Sequence, residues 1–479
     1  MRKIAFLIIA LGFPACAADR QAVLPELLGS YETGALADAQ WSFRAVYTAD
    51  GTELASFNSG KNLCPASGMK LFTTAAALEL LGPDHRFKTE LLYSGSIDDE
   101  DGVLKGDLYI RGGGDPTLGS DRVKGSLSLA RVVDKWARAA KAAGIRELRG
   151  FIRPDDSYFK GDSVPGKWFW EDVGNYYGAQ ASALSVNDNI LYLHFKPGRK
   201  PGLPAILEDT NPALPNFTLQ NNVLTGPAGS GDNAFVYNGP DSYSGYVSGT
   251  VPAGPLFSVK AALPEPGVYL GHELLAALSK AGIKTPFGVR KAAKDTDSAR
   301  LTKLTETLSP PLDDIIFVTN KTSFNLYAET MLRHLSASGK AEDGIKNILL
   351  FLSTEGVSAA GLKMYDGSGL SRADTVTARS VTDLLARMTA KSYFREFYAS
   401  LPVAGDPADL GRMKDFGAGT PLAKNARVKT GYMEGVKSFS GYMKDRSGRQ
   451  IAFSFIANNF STDSRQLAAI AVQLLNACY

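Results

Sequence analysis

The sequence predicts an α/β protein in which an antiparallel sheet flanked by helices is built from both ends of the chain, with two inserted, largely β domains between them. Three observations carry this. Near the N-terminus an alternating run, Trp41 to Tyr47, is followed by an Asp50-Gly51 turn and a second strand-like run, Glu53 to Asn58, which reads as a hairpin leading into a helix. Near the C-terminus the same pattern returns. Ser438 to Met443 and Ile451 to Ala457 flank an Asp445–Gly448 turn, and Leu467 to Asn476 has helical period. Between about 88 and 300 the composition shifts to Gly, Pro, Asp and short strand-like runs such as Asp107–Arg111 and Asn189–Phe195.

The 479 residues allow two to four domains. We expect residues 18–90 and 300–479 to form one domain, 91–189 and 257–299 a second, and 190–256, where Pro, Gly, Asn and Ser crowd together, a third nested in the second. With 44% hydrophobic and 21% charged residues, the chain has ample material for a core. A net charge of +3 is too small to point to nucleic acid. Four histidines without clustered Cys/His spacing argue against a zinc enzyme, and nothing in the sequence asks for a cofactor.

Residues 1–17 read as a secretory signal peptide, since Arg2-Lys3 precedes the apolar Ile4–Leu11 and the small-residue site Ala15-Cys16-Ala17. That apolar stretch is too short to span a membrane, and no later one is long enough. Phe13-Pro14-Ala15 before Cys16 is a poor lipidation box. We therefore expect an exported, periplasmic protein, free or peripherally associated with the membrane. Cys64 and Cys478 are too far apart in sequence to read as a disulfide framework, and Cys64 reads as a small buried residue.

The chemistry centres on Ser67-Gly68-Met69-Lys70 and the apolar helical run Leu71–Leu81 behind it, stopped by Gly82-Pro83. At a helix start, Ser67 and Lys70 share a face one turn apart. A serine hydroxyl needs a base within hydrogen-bond reach, and a lysine serves once burial or a nearby cation disfavours its charge. Free N–H groups at the helix start favour the negative charge that develops beside the serine. A chain of this length contains roughly two S-x-x-K matches by chance. The second here, Ser157–Lys160, runs into the loop Gly161–Gly166 with no helix behind it, so context selects Ser67.

Two further groups fit a serine site. Ser323-Phe324-Asn325 opens the amphipathic helix Phe324–Leu335, and a hydroxyl two residues from a carboxamide can relay a proton and hold an amide. Ile345–Ser353 and Val381–Thr389 are two more helices of this part. S-x-N is common, and Ser56-Phe57-Asn58 and Ser185-Val186-Asn187 also match. Lys429-Thr430-Gly431 precedes the Ser438 strand. Such a Lys-Thr pair can bind a carboxylate, the glycine lets substrate backbone approach, and Lys429 would help keep Lys70 neutral by like-charge repulsion.

In the order S-x-x-K, S-x-N, K-T-G, the motifs resemble those of the penicillin-recognising serine enzymes. With their surroundings, Pro65–Lys70, Arg111–Leu118, Asn320–Glu329, Asp366–Arg372 and Val428–Gly431, the chain resembles the class C low-molecular-mass penicillin-binding proteins. This is the peptidase S13, D-alanyl-D-alanine carboxypeptidase/endopeptidase family. The resemblance covers nearly the whole mature chain, including the gap of about 250 residues between Lys70 and Ser323 that in that family holds two inserted domains.

It implies a β-lactamase/transpeptidase-like domain acting on peptidoglycan stem peptides and their cross-links, with β-lactams as covalent inhibitors. It further implies Ser67 as nucleophile, Lys70 as base, Ser323 and Asn325 as proton-transfer and amide-binding groups, and Lys429 and Thr430 as carboxylate ligands beside Gly431. The N–H groups of Ser67 and Tyr432 would form the oxyanion hole, and Asp155, Phe159 and Arg372 would contact the diamino-acid side chain. Where relatives often carry a small residue and then Gln after K-T-G, this chain has Tyr432 and Glu434. A serine β-lactamase-like hydrolase and an inactive cell-wall-binding scaffold are the competing readings. The large insertion and the Asp366–Ser371 run favour the peptidase over the first, and the intact motifs favour it over the second.

Overall fold

The computed structural model describes residues 17–293 and 300–479, with side chains from residue 23 onward in the first helix. Residues 1–16, the greater part of the expected signal peptide, lie outside the described residues. Among the described residues no helix is long and apolar enough to cross a membrane.

The two chain ends meet in one five-stranded antiparallel sheet. Its order is Arg427–Met433, Val436–Lys444, Gln450–Asn458, Gln40–Tyr47, Glu53–Phe57. The join between the ends is in register from Gln40 opposite Asn458 to Tyr47 opposite Ile451. Alternation puts Phe43, Phe439, Phe455 and Phe453 on one face, where they pack against Leu24 and Leu28 of the helix Ala17–Glu32 and Leu467 and Leu474 of the helix Ser464–Ala477. The opposite face, with Val46, Tyr442, Ala452 and Ile456, packs on a second core.

The helix Lys70–Leu81 lies in the middle of that second core. Leu71, Phe72 and the run Ala75–Leu78 are all buried, as expected for a helix that is apolar on every side. It packs against the helices Leu312–Thr322, Asn325–His334, Ala341–Thr354 and Ala378–Met388. Its three consecutive alanines let these helices come close, and each fully buried large side chain such as Phe72 contributes about 1.5–3 kcal/mol. Gly82, at φ 84°, ends the helix in a conformation that side chains disfavour.

Strands Lys88–Tyr93 and Thr302–Leu308 lie at the two ends of the inserted region and are antiparallel neighbours. With Leu108–Gly112 and Ile152–Asp155 they make a four-stranded sheet. The expected largely β character of this region leaves out two helices, Leu129–Ala142 and Pro266–Lys280, which pack on each other and on this sheet. Val132, Val133, Trp136, Ala137 and Ala140 form the buried stripe of the first, and Trp136 Nε1 donates to Thr307 Oγ1 at 3.0 Å. Two three-stranded sheets follow. One joins Ile206–Asn211, Ile190–Lys196 and Phe257–Ala262, the other Thr218–Gly226, Ser244–Pro252 and Asn233–Tyr237.

Cys64 and Cys478 are both buried free thiols. Burial pushes them up to about 11 and about 12, so both stay protonated near neutral pH.

Candidate active site

Ser67 sits in a single 3-10 turn, Ala66–Met69, that runs directly into the helix beginning at Lys70. The approach to it is pinned twice. Cys64 N–H donates to Asn458 Oδ1 at 2.8 Å, and Asn458 Nδ2 donates to Cys64 O at 2.9 Å. Ala66 then turns through φ 46°, a left-handed conformation that a non-glycine residue holds only when its surroundings enforce it.

Lys70 is wholly buried. Its Nζ lies 3.0 Å from Ser67 Oγ, 2.6 Å from Asn325 Oδ1 and 2.7 Å from the Ser368 carbonyl oxygen. All three partners are neutral, so nothing in contact repays the burial of a charge, and burial pushes Lys70 down to about 7. The negative charges of Asp366 and Glu329 act in the opposite sense.

Those two carboxyls hold the Asp366–Ser371 turn beneath Lys70. Glu329 accepts from Gly367 N at 3.0 Å and from Ser368 N at 2.7 Å, so Ser368 is gripped between Glu329 and Lys70. Asp366 accepts from Gly369 N at 2.6 Å, Ser371 N at 2.7 Å and, from the inserted region, Trp168 Nε1 at 2.7 Å. Gly369 is required here: at φ 78°, a Cβ would lie 1.9 Å from the Ala66 oxygen. Burial and Asp366 push Glu329 up to about 7 and Asp374 up to about 11.

Ser323 is the left-handed residue (φ 60°, ψ 40°) between the helices Leu312–Thr322 and Asn325–His334. The sharp turn brings Ser323 Oγ within 2.9 Å of Lys429 Nζ and Asn325 Oδ1 to Lys70. Asn325 Nδ2 donates to the Tyr177 carbonyl at 2.8 Å, which fixes its orientation from the inserted region. Lys429 stands on the edge strand Arg427–Met433. At Gly431 a Cβ would lie 2.1 Å from the Pro65 oxygen, so only glycine lets this strand lie against the serine turn. Ser438 Oγ, on the next strand, donates to that same oxygen at 2.7 Å.

The structure thus brings Lys70 onto Ser67 and Asn325, and Lys429 onto Ser323, the two sets joined by the turn from Ser323 to Asn325. Like-charge repulsion adds a feature of its own. Burial, and then the charge of Lys70, push Lys429 well below its ordinary value. No carboxylate touches it among the described residues, so in the free site both lysines disfavour their protons.

The outlying residues are placed differently. Arg372 does not pair with Asp374. It donates to the Glu434 carbonyl at 2.8 Å and lies 5.0 Å over the Phe169 ring. Asp155 is buried, with Oδ2 3.4 Å from Arg111 Nε and Oδ1 accepting from Ser157 N at 3.1 Å. Phe159 and Asp155 line one cleft of about 410 Å³ together with Arg333 and Lys291, and Arg372 is not part of its wall. Tyr432 projects outward, 63% exposed. In the second S-x-x-K match Lys160 is exposed and its carbonyl serves Arg333, and the pair lines the cleft of Asp155 and Phe159 without a serine–lysine hydrogen bond of the kind Ser67 makes with Lys70. The sequence reading assigned no role to Glu329, Asp366, Ser368, Trp168 or Tyr177. The first three lay inside quoted runs, whereas the other two carry no local signal.

The model of the D-Ala-D-Ala carboxypeptidase 3 (S13) family matches residues 27–477. The chain belongs to this family. A D-alanyl-D-alanine carboxypeptidase from an Actinomadura species is 34% identical, over 92% of this chain and 82% of the relative. The D-alanyl-D-alanine carboxypeptidase DacB of Haemophilus influenzae is 26% identical, over 85% and 83%. The crystal structure of penicillin binding protein 4 (dacB) from Haemophilus influenzae superposes with a TM-score of 0.79 at 22% identity, covering 95% of this chain and 99% of that one. The S13 fold therefore extends across the inserted region as well as the sheet and helices around the serine.

Proposed function

We propose that this S13 protein is a serine D-Ala-D-Ala carboxypeptidase and DD-endopeptidase acting on peptidoglycan stem peptides and their cross-links through an acyl-enzyme. The observation that carries the reading is the contact between Ser67 Oγ and a buried lysine whose other partners are neutral. Neutral Lys70 takes the proton as Ser67 Oγ attacks the carbonyl carbon of the penultimate D-alanine. The N–H groups of Ser67 and Tyr432 hold the oxyanion. The proton reaches the leaving nitrogen through Lys70 or Ser323, and the C–N bond breaks. Water then attacks the ester and releases Ser67.

Asn325 holds the substrate amide, while Lys429 and Thr430 hold the carboxylate beyond the scissile bond. Arrival of that anion restores the charge that burial denies Lys429, so binding and protonation are coupled. A β-lactam presents an amide and a carboxylate in the same relation and acylates Ser67. Asp155 and Phe159, from their shared cleft, and Arg372, from outside its wall, contact the diamino-acid side chain of the stem. Export across the inner membrane follows from the residue 1–17 pattern and places the enzyme beside its polymer.

Labelling with a fluorescent penicillin, followed by digestion of purified peptidoglycan and analysis of the products, tests the reading. A covalent adduct on Ser67 with release of D-alanine and loss of dimeric muropeptides is expected. An unlabelled protein that leaves the polymer intact would overturn it.

A further inference from the structure

Consecutive residues of a strand project to opposite faces. Lys429 reaches Ser323 on one side of the edge strand, and Thr430 faces the other, where it lines a groove of about 710 Å³. Phe439, opposite Thr430 in register, and Lys437, opposite Tyr432, continue the sheet wall of this groove. Arg412 and Phe416 supply the loop wall, and Arg465 the wall from the C-terminal helix.

Three cations therefore surround one groove. Among the described residues none of the three has a carboxylate within ion-pair reach, and Asp415 is the acid of the lining. Lys437 is half-buried, its Nζ 4.9 Å from the Tyr432 ring centre and 5.2 Å from that of Phe439. Burial pushes it below its ordinary value, so a ligand carboxylate would relieve a cost that the free protein carries.

Resting on the function proposed above, we infer that this groove binds the leaving stem peptide of a cross-link, the strand released from the acyl-enzyme. The carboxylate held at Thr430 belongs to the residue beyond the scissile bond. In a terminal D-alanine that residue carries only a methyl group, which needs no groove. In a cross-link it is a diamino acid whose side chain continues into a second stem bearing further carboxylates. Such a chain leaves Thr430 directly into a space lined by Lys437, Arg412 and Arg465. The groove thus sets the preference between cross-linked and terminal substrates, while the serine chemistry is common to both.

The test compares kcat/KM for a soluble monomeric muropeptide ending in D-Ala-D-Ala with that for a D-alanyl cross-linked dimer. Lys437→Met keeps the apolar stem on Tyr432 and Phe439, and Arg465→Glu alters the far wall without touching the edge strand. Each is expected to lower dimer cleavage about tenfold, the worth of one charge-assisted contact, with the monomer changed less than about twofold. Asp415→Asn is expected to raise the dimer value. Equal losses on both substrates, or an unchanged dimer value in both cation variants, would overturn the inference. A wild-type protein that cleaves the monomer but not the dimer would also overturn it and leave the carboxypeptidase reading standing. One that cleaves neither would overturn the function itself.

Discussion

Glu329→Gln is the substitution that most directly probes how Lys70 becomes a base. Glu329 touches neither Ser67 nor Lys70, but it grips the Gly367 and Ser368 amides, and the Ser368 carbonyl meets Lys70 Nζ. Its negative charge raises the affinity of Lys70 for a proton against the larger effect of burial. At an effective dielectric of about 20 and a separation on the order of 6 Å, one carboxylate stabilises an ammonium by about 3 kcal/mol. A group that is itself pushed up to about 7 is charged only about half the time there, which halves the effect to roughly one pKa unit.

Removing the charge should therefore lower Lys70 from about 7 to about 6. The active form is the neutral one, so the acidic limb of acylation by a penicillin moves to lower pH. At pH 7 the neutral fraction rises from about one half to about nine tenths, so acylation quickens about twofold, while at pH 6, where Glu329 is itself largely protonated, and at pH 8, where Lys70 is already largely neutral, it changes less. Stopped-flow acylation from pH 5 to 9 measures this. A purely structural role predicts slower acylation at every pH with the limb unmoved, and that result would refute the reasoning.

Ser67→Ala should fold normally and take no label from a fluorescent penicillin, whereas Ser157→Ala should label fully; gel fluorescence and circular dichroism distinguish the outcomes. Lys429→Ala should lose about tenfold or more in kcat/KM on substrates that carry the terminal carboxylate and much less on their amides, checked with a matched peptide pair. Arg372→Ala and Asp155→Ala should each narrow the ratio of kcat/KM between a stem peptide with a free diamino acid and its acetylated analogue. Gly431→Ala should cut acylation about a hundredfold, because a Cβ 2.1 Å from the Pro65 oxygen displaces the strand from the serine turn.

Much of the sheet was legible because its strands obey simple alternation and its turns carry Asp-Gly or Ser-Gly. The pairing of the two chain ends is visible in the likeness of their hairpin patterns. The helix behind Ser67 was readable from its apolar run and its Gly-Pro stop. The helix Leu129–Ala142 was passed over although Val132, Val133, Trp136 and Ala140 have helical spacing, because the surrounding Gly, Pro and Asp dominated the reading.

Motif residues of the site could be named because each motif is local. What could not be read is long-range. The Ser368 carbonyl and the Tyr177 carbonyl act through backbone atoms, which residue identity does not mark. The charge state of Lys429 depends on its surroundings in the same way. Sequence shows two lysines near one serine, but only the structure shows that both are buried and that, among the described residues, no anion touches Lys429.

The strand pairing between Gln40–Tyr47 and Gln450–Asn458 has a consequence for when the enzyme becomes active. Closing a loop of several hundred residues costs only about 2 kcal/mol more than closing one a tenth as long, so the finished fold bears the separation easily. The order of events is another matter. A chain emerging from the ribosome or threading through an export channel N-terminus first presents Ser67 and Lys70 early, but the edge strand with Lys429 and the strand that joins the two ends come last. Until those final residues are released, the serine has no second lysine, no strand for substrate to lie along and no sheet behind it. The fold thus withholds a bond-cutting activity until the whole chain has been released.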